Sequence, residues 1–429
     1  MARIIIVSGI QLSTNPRVVK EADTLAAAGN DVEVIGVALE PQLVERDRQL
    51  SRGKPWTHTV LFDVSSAAWS DRLELLAARI RLRFWREVHA LFGISNPRQL
   101  GIAGPEILRY CLQHRADLYI VHNPQPLWVG VELSRRGRVV GVDVEDWYSE
   151  MLLPEDRRGY SIESLRRWEK FLLREAAYST TTSRRLSEAL ASSYRCAPPA
   201  VVYNTFSWGE RDAMDGRILD RVNPDLLSLC WFSQVVGRGR GLETLMDALA
   251  GVEVPFEIHL RGHCRADYRQ QLLARAPKAW KERIHFHAQV PHAELISRVA
   301  EHDIGLAAEI PYCRNTQLTV ANKLHLYLLA GLAVVASDTD GQREVAAVAN
   351  GAVTTFEAGN ASALAAALNG ILADRDKLRV ARERALFAAE RFFCWERSAP
   401  VLLDRVAEAL DGRQGAAVSV SLPDYHSSL

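Results

Sequence analysis

Between Val236 and Glu243 the chain reads V-G-R-G-R-G-L-E, just ahead of a helical pattern that runs through Leu249. Glycines let a backbone come close to a phosphate, the helix start offers free N–H donors, and a guanidinium adds a charge-assisted hydrogen bond. Arg238, Gly239, Arg240 and Gly241 therefore make a candidate anion cradle, beside the plainer reading of a glycine-rich surface loop with solvated arginines. The glycine spacing differs from the dinucleotide fingerprint, which argues against NAD.

A second basic group, Lys323, follows Asn322 at the start of a segment with Leu324, Tyr327 and Leu328 at helical spacing. Gly331 sits where that helix would stop, and Ala333–Ala336 is an apolar run suited to a buried parallel strand. Turn formers then lead through Gly341 into what looks like another first helical turn, Gln342–Val345. A helix start beyond the carboxyl end of a parallel strand is where anionic or polyhydroxylated ligands settle in open α/β sheets. Glu344 in that turn either reaches ligand hydroxyls or caps its own helix.

The chemistry of the first half is polar and acidic. Asp117–Val121 is a strand candidate ending on His122, whose neutral imidazole at a sheet edge would hydrogen-bond a sugar hydroxyl or accept a proton near neutral pH; alone it also reads as a loop residue. The strand candidate Arg138–Val144 runs into an acid cluster, Asp143, Glu145, Asp146 and Glu150, which suits either acceptor hydroxyls or a charged helix start. No second acidic cluster supports it, so no metal site is expected.

The elements that must position these groups alternate strand and helix. Arg3–Ser8 is a β-branched run, Gly9 and Asn15 lie in the loop before Pro16, Arg17–Ala28 is helical and Val32–Val37 is a second strand. The run Val201–Thr205 closes a first half, the polar stretch to Pro224 reads as a linker, and the pattern restarts at Leu226–Phe232. Expected domains are 1–206, a linker over 207–225, a second domain over 226–385, returning helices over 386–412, and a mobile tail over 413–429.

Asp71–Phe92 repeats Leu73, Leu76, Ile80, Phe84, Val88 and Leu91 at helical spacing, with Arg79, Arg83 and Arg86 on another face and Arg81 nearby. It is either a core-facing helix with a solvated basic face or an interfacial helix that docks on anionic lipid. Lysine plus arginine and aspartate plus glutamate balance at 52 each, so no global field favours nucleic acid. The six cysteines form no C-x-x-C pair, which predicts neither a zinc site nor a disulfide framework. No leader or span is evident, and the expected location is the cytoplasm, at the inner face of the membrane if the basic helix docks.

The stretch from Thr319 to Val345 resembles the donor-site segment of bacterial glycosyltransferases of family 4, whose pattern often runs N-K-L-F-E-Y, small residues, G-L-P-V-V-A-S-D, then G-x-x-E. Asn322, Lys323, Leu324, Tyr327, Gly331, Val334, Val335, Ala336, Ser337, Asp338, Gly341 and Glu344 match as they stand. The N-P-R-V-V-K-E-A wording at Asn15–Ala22 is similar to the family's first helix, Arg240-Gly241-Leu242 to its G-x-x-K/R-G-L loop, and Asp303–Leu306 to its D-I-G-L strand. Trp395 and Glu396 match its F-x-W-E ending.

The resemblance implies a GT-B fold, two Rossmann-like domains facing across a cleft with C-terminal helices crossing back to the first domain. It implies transfer of a sugar, with retention, from a nucleotide-diphosphate sugar to a saccharide or lipid-linked acceptor in surface-glycan or glycoconjugate biosynthesis, with no cofactor beyond the donor. Arg240 and Lys323 would grip the leaving diphosphate, with Gly9, Arg238, Gly239, Gly241, Gly262, Asn322, Gly341 and Glu344 around the donor. His122, Asn15, Asp143, Glu145 and Asp146 would face the acceptor. Where relatives commonly carry two glutamates, Leu318 and Leu326 stand here, and the alternative is a catalytically silent GT-B subunit that binds a partner transferase or a glycan.

Overall fold

The computed structural model describes residues 1–412; the tail expected over 413–429 lies outside the described residues. Ile4, Ile5, Ile6 and Val7 have no exposed surface, because a parallel strand covered on both faces needs an unbroken apolar run. That run is β1 (Arg3–Ser8). The first sheet is completed by β2 (Asp31–Ala38), β3 (Thr57–Asp63), β4 (Leu118–His122), β5 (Val140–Val144), β6 (Tyr178–Thr181) and β7 (Ala200–Val201). Its order is β3-β2-β1-β4-β5-β6-β7, and the pairs are parallel. The helices around it are α1 (Pro16–Ala27), α2 (Pro41–Ser51), α3 (Trp69–Phe92), α4 (Gly104–Gln113), α5 (Pro124–Ser134), α6 (Ile162–Glu175) and α7 (Arg184–Tyr194).

The second sheet has β8 (Ser228–Val236), β9 (Glu257–Cys264), β10 (Ile284–His287), β11 (Ile304–Ala307), β12 (Ala333–Ser337) and β13 (Val353–Phe356), in the parallel order β10-β9-β8-β11-β12-β13. Its helices are α8 (Leu242–Ala248), α9 (Ala266–Arg275), α10 (His292–Ala300), α11 (Arg314–Leu318), α12 (Asn322–Ala330), α13 (Asp340–Val348), α14 (Ala361–Leu372) and α15 (Arg375–Arg391). Strand order reverses between β1 and β4 in one sheet and between β8 and β11 in the other. At such a switch point the loops part and leave a crevice beyond the carboxyl ends of the strands.

The crossing back is made by α16 (Trp395–Leu410), whose Trp395, Leu402, Val406 and Ala409 join the core beneath β1 and α1. Trp395 Nε1 donates to Thr24 Oγ1 at 2.8 Å. The crossing starts after Arg391, not at 386: α15 keeps Ala385, Ala388 and Ala389 in the second domain's core. One strand also differs from expectation: β7 stops at Val201, short of Thr205, while Gly262 lies inside β9.

α3 settles an alternative the sequence left open. Its buried side is Leu75 and Ala78, while Leu73, Leu76, Ile80, Phe84, Leu91 and Phe92 are 48–71% exposed. The core-facing reading therefore fails for this stripe; helical periodicity reports that a stripe exists, not which way it points. Of the arginines, Arg81 donates to Glu106, and Arg86 to Gln99 O and Tyr160 Oη, leaving Arg79 and Arg83 on the exposed side. Among the described residues no helix is long and apolar enough to cross a membrane.

Candidate functional site

On the second domain the candidate residues gather at the β8/β11 switch point. Gly241 has φ 75°, and a Cβ there would collide with the carbonyl oxygen of Ala308, so only glycine lets the loop press against the end of β11. Arg240 Nη1 donates to Ser233 Oγ at 3.0 Å at the end of β8. The Lys323 ammonium is buried, pairs with Glu309 and stands 4.9 Å from the centre of the Trp231 ring. Arg238 is turned outward to Gln271 Oε1 on α9, at 2.7 Å, away from this group.

Glu309 is the carboxylate that sequence reasoning missed. It follows β11, and its backbone carbonyl accepts from Ser337 Oγ at 2.6 Å; Gln342 Nε2 donates in turn to that Oγ at 2.7 Å. Leu326, by contrast, is buried in the apolar cluster of α12, and Leu318 is covered with its carbonyl accepting from Ser183 Oγ at 2.7 Å. Asn322 opens α12 next to Lys323.

Three glycines expected around the ligand are explained by close packing. A Cβ at Gly262 would strike Ser233 O, at Gly341 it would strike Thr319 O, and at Gly9 it would strike the Pro126 ring. Gly239 adopts φ 72° at the tip of the loop, where nothing crowds it. Glu344 neither reaches into the donor crevice nor caps its own helix: it accepts from the backbone N–H groups of Arg184 at 3.1 Å and Arg185 at 2.9 Å, capping α7 of the first domain. Its neighbour in this bridge is Asn315, whose Oδ1 accepts from Trp147 N at 2.7 Å while its Nδ2 donates to Asp146 Oδ1 at 2.8 Å. Asp146 is thus spent on a contact between domains, and burial pushes its carboxyl up.

The first-domain group forms one buried network at the β1/β4 switch point. His122 has no exposed surface; Nε2 contacts Glu21 at 2.5 Å, Nδ1 contacts Glu145 at 3.0 Å, and Asp143 lies 3.6 Å away. Arg17 grips Asp143 through Nε at 2.5 Å and Nη2 at 3.1 Å, and Asn15 donates to Glu145 at 2.7 Å. Burial works against a charged imidazole, but the attraction of Glu21, then the hydrogen bonds to Glu145 and Glu21, outweigh it and raise His122 to about 10. This corrects the expectation of a neutral histidine able to accept a proton near neutral pH: the ring is a fully enclosed imidazolium. Arg17 and Glu21 escaped notice in the sequence, although their i, i+4 spacing beside the apolar stripe of α1 was the available signal.

Residues 227–374 match the sequence model of the family described as Glycosyl transferases group 1, so the second domain is a glycosyltransferase-like domain. No curated protein matches the chain. Among solved structures it is similar to sucrose-phosphate synthase from Thermosynechococcus elongatus, with TM-score 0.68 and 15% identity over 96% of this chain and 100% of that one. HepE of Anabaena in complex with UDP gives 0.66 and 16%, again over 96% and 100%. A UDP-N-acetylglucosamine 2-epimerase described as putative, from Listeria monocytogenes, gives 0.54 and 11% over 96% and 97%. These likenesses establish the GT-B fold, which serves more than one reaction.

Proposed function

We propose that this chain transfers a sugar, with retention, from a nucleoside diphosphate sugar to a saccharide or lipid-linked acceptor in surface-glycan synthesis. The observation that carries the reading is the convergence of Arg240, Lys323 and the Gly239–Gly241 loop on the β8/β11 switch point. When the bond from the anomeric carbon to the diphosphate oxygen breaks, negative charge develops on that oxygen. A guanidinium and an ammonium held in place beforehand stabilise it without reorganising. The acceptor hydroxyl oxygen forms the new bond, and its proton leaves with the departing diphosphate. His122 has no part in that proton transfer, because its ring is enclosed and already carries both protons.

Glu309 takes over the polar role for which Leu326 has no atoms, accepting donor hydroxyls once the diphosphate has drawn Lys323 away.

Acceptor delivery is part of the same reading: α3 seats the protein on an anionic bilayer at the cytoplasmic face. α3 enters from the carboxyl end of β3 and leads to α4, whose Gly104 touches Gln125 just beyond β4. It therefore borders the edge of the first sheet that faces the cleft. Its exposed apolar stripe with Arg79 and Arg83 alongside fits acyl chains and anionic headgroups.

The test is calorimetric titration with UDP, GDP and their common sugar conjugates, with Arg240→Ala as control. Loss of a hydrogen bond to a charged group costs about 1.5–3 kcal/mol, so the variant should bind roughly 10- to 150-fold more weakly. Folded protein that binds none of them would leave the silent partner subunit as the better reading.

A further inference from the structure

At the amino end of the second sheet, opposite the cleft, three imidazoles gather around a fourth, His259, which lies against the Glu257 carboxylate. The paired strands β9 and β10 put His259 beside His285, and the rings of His287 and His302 lie 5.2 and 4.6 Å from that of His259. Glu257 Oε2 is 3.3 Å from His259 Nε2 and Oε1 is 3.7 Å from His285 Nε2. Two ligands of a tetrahedral zinc ion stand roughly 3.3–3.5 Å apart. The three donor atoms lie within 4.8 Å of one another.

Counting protons shows what the cluster lacks. His259 Nδ1 is 3.0 Å from His287 Nε2, and His287 Nδ1 is 3.4 Å from Asp220 Oδ1, which Arg261 also holds. If His287 Nδ1 donates to Asp220, His287 Nε2 must accept, and His259 Nδ1 must carry its ring's one proton. That leaves His259 Nε2 as a bare lone pair facing a carboxylate. The opposite tautomers move the same conflict to Asp220. His285 Nε2 is likewise buried without a hydrogen-bond partner. Glu257 accepts from Val222 N and Asn223 N, and among the described residues no lysine or arginine pairs with it. A cation between these atoms resolves every clash, and the chain from His259 through His287 to Asp220 is the outer support that orients ligating histidines.

We propose that Glu257, His259 and His285 bind one divalent cation of the zinc class, fastening the interdomain segment to the second domain. Two imidazoles and a carboxylate suit that ion, with water as the fourth ligand. Entry is by His285, whose side chain is 20% exposed, against 1% for His259 and 4% for Glu257. The same carboxylate holds Val222 and Asn223, so occupancy stiffens the segment joining the domains.

The experiment uses untagged full-length protein, stripped with chelator and then titrated with Zn²⁺ alone, with metal content measured on the dialysed sample. One zinc per chain and a higher Tm for the wild type, both absent in His285→Ala and Glu257→Gln, are expected. His285 is at the cluster's open side, so its variant keeps the fold, checked by circular dichroism; Co²⁺ should give the absorption of a four-coordinate site only in the wild type. No saturable uptake by the wild type, or wild-type uptake by His285→Ala, overturns the proposal.

Discussion

Replacing His122 with glutamine removes the positive ring from between Glu21, Glu145 and Asp143 while keeping a polar side chain of similar reach. From the ordinary value near 6.5 to about 10 at about 1.4 kcal/mol per pH unit, the imidazolium stabilises the fold by roughly 5 kcal/mol. Breaking a buried pair from one side costs about 3–5 kcal/mol, an independent figure of the same size. Because the folded value lies above the unfolded one, this stabilisation is complete below about pH 6.5 and is lost as pH rises towards about 10. The wild-type profile alone does not reveal it. Burial, then Arg17, pushes Lys20 down to about 7, so its penalty is relieved as pH climbs from about 7 to about 10.5, with opposite sign in nearly the same window.

The informative quantity is therefore the gap between wild type and His122→Gln, in which Lys20 cancels. Urea unfolding near about pH 6 should show a gap of about 3–5 kcal/mol, and near about pH 10 most of it should have closed. A gap that stays constant across this range, or one below about 1 kcal/mol at the acid end, would refute the enclosed imidazolium and return His122 to the list of candidate bases.

Lys323→Ala removes the ammonium that meets the diphosphate and should weaken UDP or GDP binding roughly 10- to 150-fold by calorimetry; unchanged binding would mean that Lys323 does not meet the diphosphate. Glu344→Ala takes the carboxylate from the first two N–H groups of α7 while its Ser183 cap stays, should cost about 0.5–2 kcal/mol, and should raise the radius of gyration in solution scattering as the domain bridge loosens. Ile80→Glu with Phe84→Glu, on the exposed stripe, should abolish co-flotation with phosphatidylglycerol vesicles and leave thermal stability unchanged. Equal flotation of this double variant and the wild type would remove α3 as the docking face.

Periodicity and turn chemistry located most strands and helices because each is specified by its own few residues. The Gly241 loop, Lys323 at the start of α12 and the acid cluster after β5 were legible for that reason. What stayed hidden depends on elements far apart in the chain. Glu21 and His122 are 101 residues apart, so nothing local marks the histidine as charged. Glu309 gains meaning only beside Lys323, and Glu344 only beside the start of α7. Gly262 and Gly341 read as ligand glycines until the neighbouring backbone is seen to need their space. The cluster of Glu257, His259 and His285 stayed hidden because its side chains sit on two strands, with neither cysteines nor a short motif to announce them.

α16 bears on how the protein is made as well as how it is held. The first domain is synthesised first, yet the layer beneath β1 and α1 is closed by Trp395, Leu402, Val406 and Ala409 from the last described helix. A nascent chain leaving the ribosome therefore carries an open apolar face until the whole second domain has emerged. The first half cut off near residue 206 would keep that face uncovered permanently, so maturation of the two halves is obligatorily joint.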